Sequence, residues 1–173
     1  VVQQTVDYVH NQEKKHHKKI KMSLTTNGML LDEEKTKYLT DNHISLILSL
    51  DGRKEMHDRM RPDVNNEGTY DQIVKNLQYC IAHRNGEEYY VRGTFTRHNL
   101  DFTTDVEDML DHGFPAVSME PVVGDDSAEY SIKESDLPRV KEEYDRLAQL
   151  FIHREEEERP FYYIHFNIHL RKV

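Results

Sequence analysis

The stretch ISLILSLDGRKEMHDRMR, Ile44–Arg61, is the part of the sequence from which the fold is best predicted. It opens with an apolar run that ends at Leu48, and such a run is typical of a strand buried on both faces. Ser49-Leu50-Asp51-Gly52 follows, so a hydroxyl, a carboxylate and a glycine come directly after the strand. In folds that alternate strands and helices, ligands bind at the carboxyl ends of parallel strands. We therefore expect the functional site at this junction.

The remaining sequence alternates between helical and extended patterns. Apolar spacing predicts further strands at residues 20–24, 89–96, 115–119 and 161–168. It predicts helices over the first 19 residues, after an N-cap at Asp32, over 70–83 and 101–112, and from a cap at Ser135 to a break at Pro160. Strict alternation favours an α/β fold of parallel strands with right-handed crossovers. Periodicity leaves open whether the sheet is doubly wound or part of a barrel.

Composition limits the class of protein. A chain of 173 residues predicts one domain with its own core. The net charge of −9 argues against a general nucleic-acid or anionic-membrane surface. No apolar run approaches the roughly 20 residues that span a bilayer. The single cysteine, Cys80, excludes an internal disulfide and leaves the cytoplasm as the expected location.

Polar side chains near the predicted strand ends are the candidate site residues, because parallel strands end at one rim. Arg92 is the most informative, since it lies between Val91 and Gly93 in a predicted strand. Burying an arginine is costly unless it meets a carboxylate or a phosphate, so we expect a bound anion or a partner such as Asp51 or Glu120. An internal ion pair without a ligand is an equally good explanation. The full set is Thr25, Thr26, Asn27, Ser49, Asp51, Arg92, Thr94, Thr96 and Glu120.

The spacing of the eleven histidines does not favour a metal site. His16 and His17 are adjacent in a basic run, and no helical His-x-x-x-His pair is present. His165 and His169 are four residues apart, but His165 falls in a predicted strand, where this spacing does not form a helical chelating pair. Cys80 falls among apolar residues of a predicted helix, which predicts a core side chain.

Five blocks of sequence resemble the radical S-adenosylmethionine (SAM) enzymes. The similarity extends from the first predicted helix to about Phe166, and it is to the subgroup with a SPASM-type C-terminal extension that modifies ribosomally made peptides. In particular, the chain resembles the maturases that form thioether cross-links in cysteine-rich SCIFF peptides. The blocks are TTNG at 25–28, SLDG at 49–52, HDRMR at 57–61, RGTFTRHN at 92–99 and MEPVV at 119–123.

The resemblance implies a partial (β/α)6 barrel, of which residues 1–173 would form an incomplete core domain with about strands three to six. It also implies a chemistry in which a [4Fe-4S] cluster reduces SAM to a 5′-deoxyadenosyl radical. That radical would abstract hydrogen from a carbon of a cysteine-rich precursor peptide, to which a cysteine sulfur would then bond.

The resemblance also implies roles for residues. Ser49 and Arg92 would bind the methionyl carboxylate of SAM, and Thr26 and Asn27 would line the ribose and methionine pocket. The remaining matching positions lie near the rim, without an assigned catalytic residue or metal ligand. The ones we expect to contact the cofactor are Asp51, Thr94 and Glu120, and Asp58 and Arg61 lie beside them in the sequence pattern.

Two defining motifs of these enzymes, the Cys-x-x-x-Cys-x-x-Cys loop and the Gly-Gly-Glu-Pro stretch, do not occur in the 173 residues. A four-iron cluster takes cysteine thiolates, so we expect this chain alone to be inactive and to be a fragment, a truncated gene product or a degenerate copy. Two alternatives remain. One is a non-catalytic half-barrel that binds a peptide or partner chain and self-associates through uncovered sheet edges. The other is an unrelated doubly wound ligand-binding domain.

Overall fold

A computed structural model of the chain describes residues 1–86 and 88–166, which contain six helices and five strands, with two helices between the second and third strands. A 3₁₀ turn, Glu134–Asp136, precedes the last helix. The helices are α1 (Val2–His16), α2 (Glu33–Asp41), α3 (Lys54–Met60), α4 (Tyr70–Ala82), α5 (Phe102–Asp111) and α6 (Leu137–Glu156). The strands are β1 (Ser23–Thr26), β2 (Ser45–Ser49), β3 (Tyr89–Phe95), β4 (Ala116–Pro121) and β5 (Tyr162–Tyr163).

The five strands form one parallel sheet in the order β1-β2-β3-β4-β5. Every strand pairs with its neighbour in sequence, so the strand order never reverses as it does in a doubly wound sheet. The predicted α/β fold is therefore confirmed, and its topology is that of a partial (β/α) barrel. Strands β1 and β5 are the two edges. Self-association through them stays a prediction, which concentration-dependent sedimentation would test.

One face of the sheet packs against helices and forms the core. Leu48, Val91 and Val117 occupy matching register positions on this face, and all three are fully buried. Their neighbours from the helices include Leu77 of α4 and Met109 of α5, which are also buried. Burying an aliphatic side chain of this size contributes about 1.5–3 kcal/mol to folding. Cys80 lies in the same core, as predicted.

The predicted helix caps have different outcomes. Asp32 caps α2 as expected, because its Oδ1 accepts a hydrogen bond from the Lys35 backbone N–H at 2.8 Å. The prediction that Ser135 caps the long helix is wrong. Ser135 lies inside the 3₁₀ turn, and the Asp136 carboxylate instead accepts from the Lys133 N–H at 2.9 Å. Helix α6 therefore starts at Leu137, with Pro138 in its first turn, where a missing N–H costs nothing.

Two strands and one helix differ from the predictions. β1 starts at Ser23 and includes Thr25 and Thr26, which lie beyond the predicted strand at 20–24. The last predicted strand, 161–168, is reduced to Tyr162–Tyr163, and a turn follows at 164–166. Residues 167 and 168 of that prediction, like His169, lie outside the described residues. Helix α3 was not predicted, because His57 is its one buried residue and gives no apolar stripe.

Candidate functional site

The sheet has a second face, opposite the helices, that carries the candidate site. Register places Ser49 of β2 beside Arg92 of β3, and Arg92 beside Ser118 of β4. Thr94 and Glu120 form the next pair toward the carboxyl ends of β3 and β4. Directly paired residues of parallel strands point to the same side of the sheet. We call these five residues (Ser49, Arg92, Ser118, Thr94 and Glu120) the open-face cluster.

Arg92 is paired with Glu120, one of the two carboxylates that the sequence suggested. Its Nη2 donates to Glu120 Oε2 at 2.6 Å. The Arg92 side chain is 42% exposed and that of Glu120 is 30% exposed, so the pair faces open space and is not sealed in the core. Among the described residues, the Arg92 side chain makes no other hydrogen bond or ion pair. Its Nε and Nη1 are therefore available to a further acceptor.

Asp51 has a different environment from the one predicted for a cofactor ligand. Its residue is only 3% exposed, and its carboxylate accepts from Arg61 Nε at 2.6 Å and Nη2 at 3.0 Å. The Thr94 backbone N–H donates to the same carboxylate at 2.9 Å. These contacts tie the end of β2 to α3 and to β3. Direct contact between Asp51 and a cofactor stays a prediction, as it does for Thr94, whose side chain lies half-buried on the open face.

His57 also connects the end of β2 to its neighbours. Its Nδ1 accepts from the Asp51 backbone N–H at 3.2 Å, and its Nε2 lies 3.1 Å from Thr69 Oγ1. The Thr69 hydroxyl donates its proton to the Arg61 carbonyl, so Nε2–H of His57 is the donor to Thr69. The imidazole is thus held neutral, and desolvation by burial lowers its pKa below the usual 6.5.

Asp58, the other matching position near the rim, has a structural contact. Its Oδ1 accepts from the backbone N–H groups of Thr69 and Tyr70, each at 2.8 Å. These donors lie at the start of α4, where helix N–H groups lack partners within the helix. Asp58 therefore caps α4 from a neighbouring helix.

The predicted residues of β1 and of the β3 end are not all on the open face. Thr26 pairs in register with Leu48 and so lies on the helix-facing side, where its Oγ1 accepts from the Gly28 N–H at 3.2 Å. Thr25 lies on the open face, since it pairs with Ile47. Asn27 is exposed, and its Oδ1 accepts from the Met29 N–H at 3.3 Å. Thr96 is buried, and its hydroxyl donates to Asn99. A role of Thr26 and Asn27 in binding SAM stays a prediction.

Arg53 forms a network at the rim that was not predicted. Its guanidinium binds Asp105 through Nε at 2.7 Å and Asp101 through Nη2 at 2.8 Å. The bond from Arg53 lowers the pKa of Asp101, whereas burial raises the pKa of Asp105. Gly52 allows Asp105 to lie close to the backbone at the end of β2. It has φ +87°, and a Cβ there would lie 2.2 Å from the Asp105 Cβ. The glycine of SLDG, Gly52, was the one feature of the sequence that could have indicated this close packing.

Ser118 and His165 were also missed as site residues. Ser118 precedes Glu120 by two positions, and the two-residue period of a strand could have placed both on one face. His165 follows β5, and its Nε2 lies 3.2 Å from Ser118 Oγ. In the sequence, His165 was considered only as a possible metal ligand together with His169. No pattern in the sequence indicated a turn that brings His165 back over β4.

The described residues do not fit an iron–sulfur cluster. Within residues 1–86 and 88–166, no group of three or more His, Cys, Asp or Glu side chains converges as metal ligands would. Cys80 is fully buried, and burial raises the pKa of its thiol, which disfavours the thiolate that iron requires.

Within residues 1–86 and 88–166, no helix combines the length and the apolar character needed to cross a membrane.

Comparison with known proteins gives similarity in sequence and in fold. No family model matches the chain. The cysteine-type anaerobic sulfatase-maturating enzyme of Clostridium novyi is 36% identical over 69 residues, 40% of this chain and 18% of that protein. The enzyme of the same name from Clostridium perfringens (strain ATCC 13124) is 39% identical over 66 residues, 37% of this chain and 18% of its own length.

Solved structures cover much more of the chain. Native anSMEcpe with bound AdoMet and Kp18Cys peptide superposes with a TM-score of 0.80 over 95% of this chain and 46% of that one, at 20% identity. Native anSMEcpe with bound AdoMet gives a TM-score of 0.79 over the same 95% and 46%, also at 20% identity. At this identity the likeness concerns the fold. The chain spans less than half the length of these structures.

The sequential parallel sheet has the topology of a partial (β/α) barrel, and the chain shares this fold with anSMEcpe. Within that class the chain resembles the radical SAM peptide maturases. The likeness to anaerobic sulfatase-maturating enzymes covers about two fifths of the chain in sequence and nearly all of it in fold.

Proposed function

We propose that this chain provides the SAM-binding strands of a radical SAM enzyme that modifies a peptide. The observation that carries the proposal is the strand register that places Ser49 of β2 beside Arg92 of β3 on the open face. The fold is shared with structures that contain AdoMet, which supports the same ligand here. That the whole protein modifies a peptide by radical SAM chemistry is likewise a proposal.

The residues of the open-face cluster fit the methionyl end of SAM. A carboxylate needs N–H or O–H donors, and Arg92 offers Nε and Nη1 while its register partner Ser49 offers a hydroxyl. Glu120 already accepts from Nη2, so it holds the guanidinium at the face without using its remaining donors. Bound SAM would supply a 5′-deoxyadenosyl group as the hydrogen-abstracting species once reduced. The described residues contribute the orientation of its carboxylate.

The substrate proposal has a coarse and a fine form. The coarse form is a peptide that contains cysteine, which is supported by a neighbour solved with a Kp18Cys peptide. The fine form is the formation of thioether cross-links in a cysteine-rich precursor peptide, supported by the five sequence blocks that resemble the SPASM-type maturases. The proposal keeps the cytoplasm as the location. Because the 173 residues hold one cysteine, we propose that they do not cleave SAM by themselves.

Ligand-observed NMR titration of the 173-residue chain with SAM tests the proposal, because it detects millimolar binding. Arg92→Ala should weaken SAM at least tenfold, since a charge-assisted hydrogen bond contributes about 1.5–3 kcal/mol. Arg146→Ala is the matched control. That arginine lies on α6, away from the sheet, and pairs with Glu107. Anaerobic iron–sulfide reconstitution of the same chain should give no [4Fe-4S] absorption.

Three outcomes would count against the proposal. Absence of SAM binding by the chain would remove its central claim, and equal loss in the two arginine variants would remove Arg92 from the site. A stoichiometric cluster would contradict the proposed need for other cysteines. A chain that ignores SAM yet binds a cysteine-rich peptide would favour the non-catalytic half-barrel instead.

A further inference from the structure

His165 and Ser118 form a polar connection that reaches the Arg92–Glu120 pair. Ser118 Oγ lies 3.3 Å from Glu120 Oε1 and 3.2 Å from His165 Nε2. Glu120 Oε2 accepts from Arg92 at 2.6 Å. The four side chains thus form one continuous series from the turn after β5, across β4, to β3. Ser118 itself is fully buried, whereas His165 is 45% exposed.

The direction of the hydrogen bonds follows from the number of protons. An ionised carboxylate only accepts, so Ser118 spends its single hydroxyl proton on Glu120 Oε1. Ser118 Oγ must then accept from His165, which places a proton on His165 Nε2. The opposite tautomer would leave either the histidine contact or the glutamate contact without a proton. The order of donation is therefore His165 to Ser118 to Glu120, with Arg92 donating to Glu120 from the other side.

Each carboxylate oxygen of Glu120 has its own partner. Oε2 is used by Arg92, while Oε1 meets Ser118 and lies 3.8 Å from His165 Nε2. Among the described residues, no other side chain binds Oε1. The series from His165 therefore determines how the carboxylate plane is turned. Because the only described hydrogen bond of the Arg92 side chain is to that carboxylate, the same series determines where Nε and Nη1 of Arg92 point.

We propose that His165 and Ser118 are positioning residues, which orient Arg92 through Glu120 so that its free N–H groups receive the carboxylate of an amino-acid ligand. This inference rests on the proposed function and extends it, since it names which part of SAM depends on the series. It predicts a specific pattern of affinities. Loss of either residue weakens ligands that carry the α-carboxylate and spares those that lack it.

Two nucleosides separate this pattern from general damage to the site. SAM carries the amino-acid carboxylate, and 5′-methylthioadenosine has the same adenosine and thioether sulfur without the amino-acid group. The dissociation constants of both are measured by NMR titration for the wild-type chain, His165→Ala, His165→Gln, Ser118→Ala and the double variant His165→Ala/Ser118→Ala. His153→Ala is the control, because His153 lies on α6 beside Glu157 and is exposed.

We expect His165→Ala and Ser118→Ala each to weaken SAM about three- to tenfold, as the loss of one intramolecular hydrogen bond predicts, with 5′-methylthioadenosine changed less than about twofold. The double variant should be no weaker than either single variant, because both act through one series. His165→Gln should recover the wild-type ratio of the two affinities, since its amide N–H can donate to Ser118. Circular dichroism checks that each variant is folded.

The results distinguish this inference from the proposal on which it rests. A wild-type chain that does not bind SAM would contradict the proposed function. A wild-type chain that binds SAM, with His165→Ala leaving the SAM to 5′-methylthioadenosine ratio unchanged, would overturn the inference alone. Equal weakening of both nucleosides would also overturn it, because that pattern indicates a distorted pocket and not a misplaced Arg92.

Discussion

The two faces of the sheet differ completely in what they contribute, although their residues alternate along the same strands. Val91 is fully buried against the helices, and Arg92, the next residue, has 42% of its side chain in contact with solvent. The same alternation separates Leu48 from Ser49. Burial on one face stabilises the fold, while the open face keeps polar groups available for a ligand. Substitutions on neighbouring residues should therefore have separable effects on stability and on binding.

The largest expected effect is on the helix-facing side, at Phe95. Its ring is fully buried and stacks on Phe102 with ring centroids 4.2 Å apart. Phe95→Ala should lower the free energy of unfolding by about 3–5 kcal/mol, because a large cavity replaces the ring. Urea denaturation followed by circular dichroism measures the change. Thr94→Ala, one residue earlier on the open face, is the control and should cost less than about 1 kcal/mol. Similar losses in both variants would break the comparison of the two faces.

A smaller effect is expected at Gly52, where the rim meets the core. Gly52→Ala should destabilise the chain by about 2–4 kcal/mol, because the new Cβ overlaps Asp105 and the residue keeps a positive φ. Gly113→Ala is a matched control. Gly113 also has a positive φ of +83°, but a Cβ there would meet no atom within 4 Å. The control should lose only about 1–2 kcal/mol. Equal losses in denaturant would show that contact with Asp105 has no energetic weight.

The smallest expected effect concerns His57, which braces the end of β2 beneath the open face. Burial lowers its folded-state pKa below 6.5, so the unfolded chain takes up the proton first as the pH falls. The contribution of neutral His57 to the free energy of unfolding is therefore fully present above pH 6.5. Below that pH the contribution declines, by at most about 1.4 kcal/mol per pH unit for this one group. The difference in unfolding free energy between the wild type and His57→Gln, measured from about pH 7.5 to 5, isolates the contribution. A difference that does not vary with pH would contradict the assignment.

Much of the fold was predictable because it depends on local patterns. The apolar run before Ser49, the helical spacing over 70–83 and the cap at Asp32 each reflect contacts made within a few residues. Errors occurred where a single side chain or a turn, and not a repeating apolar pattern, decides the outcome. Ser135 was predicted to cap α6, but the Asp136 carboxylate, which accepts from the Lys133 N–H, makes the capping contact in the turn before this helix. Strand β5 ends after two residues. Helix α3 carries a buried histidine in place of an apolar stripe, so periodicity could not show it.

For the candidate site, the sequence pointed to Arg92 and to a carboxylate partner, but it did not indicate Ser118, His165 or Arg53. Strand alternation and an arginine among buried residues pointed to Arg92, and the choice of carboxylates already included Glu120. The sequence could not distinguish Glu120 from Asp51, because the choice depends on register between strands. Register turns Glu120 toward Arg92, while Asp51 is held by Arg61 and the Thr94 backbone.

By itself, the sequence determined the succession of the five strands and of every helix except α3, the charged and apolar character of the two faces, and the polar residues at the strand ends. These are consequences of side-chain periodicity and of turn residues such as Gly52. Tertiary structure alone decided the pairing of Arg92 with Glu120 and the return of His165 to Ser118, which are 28 and 47 residues apart in the chain. Such contacts arise from strand register and chain reversal, and no local spacing in the sequence encodes them.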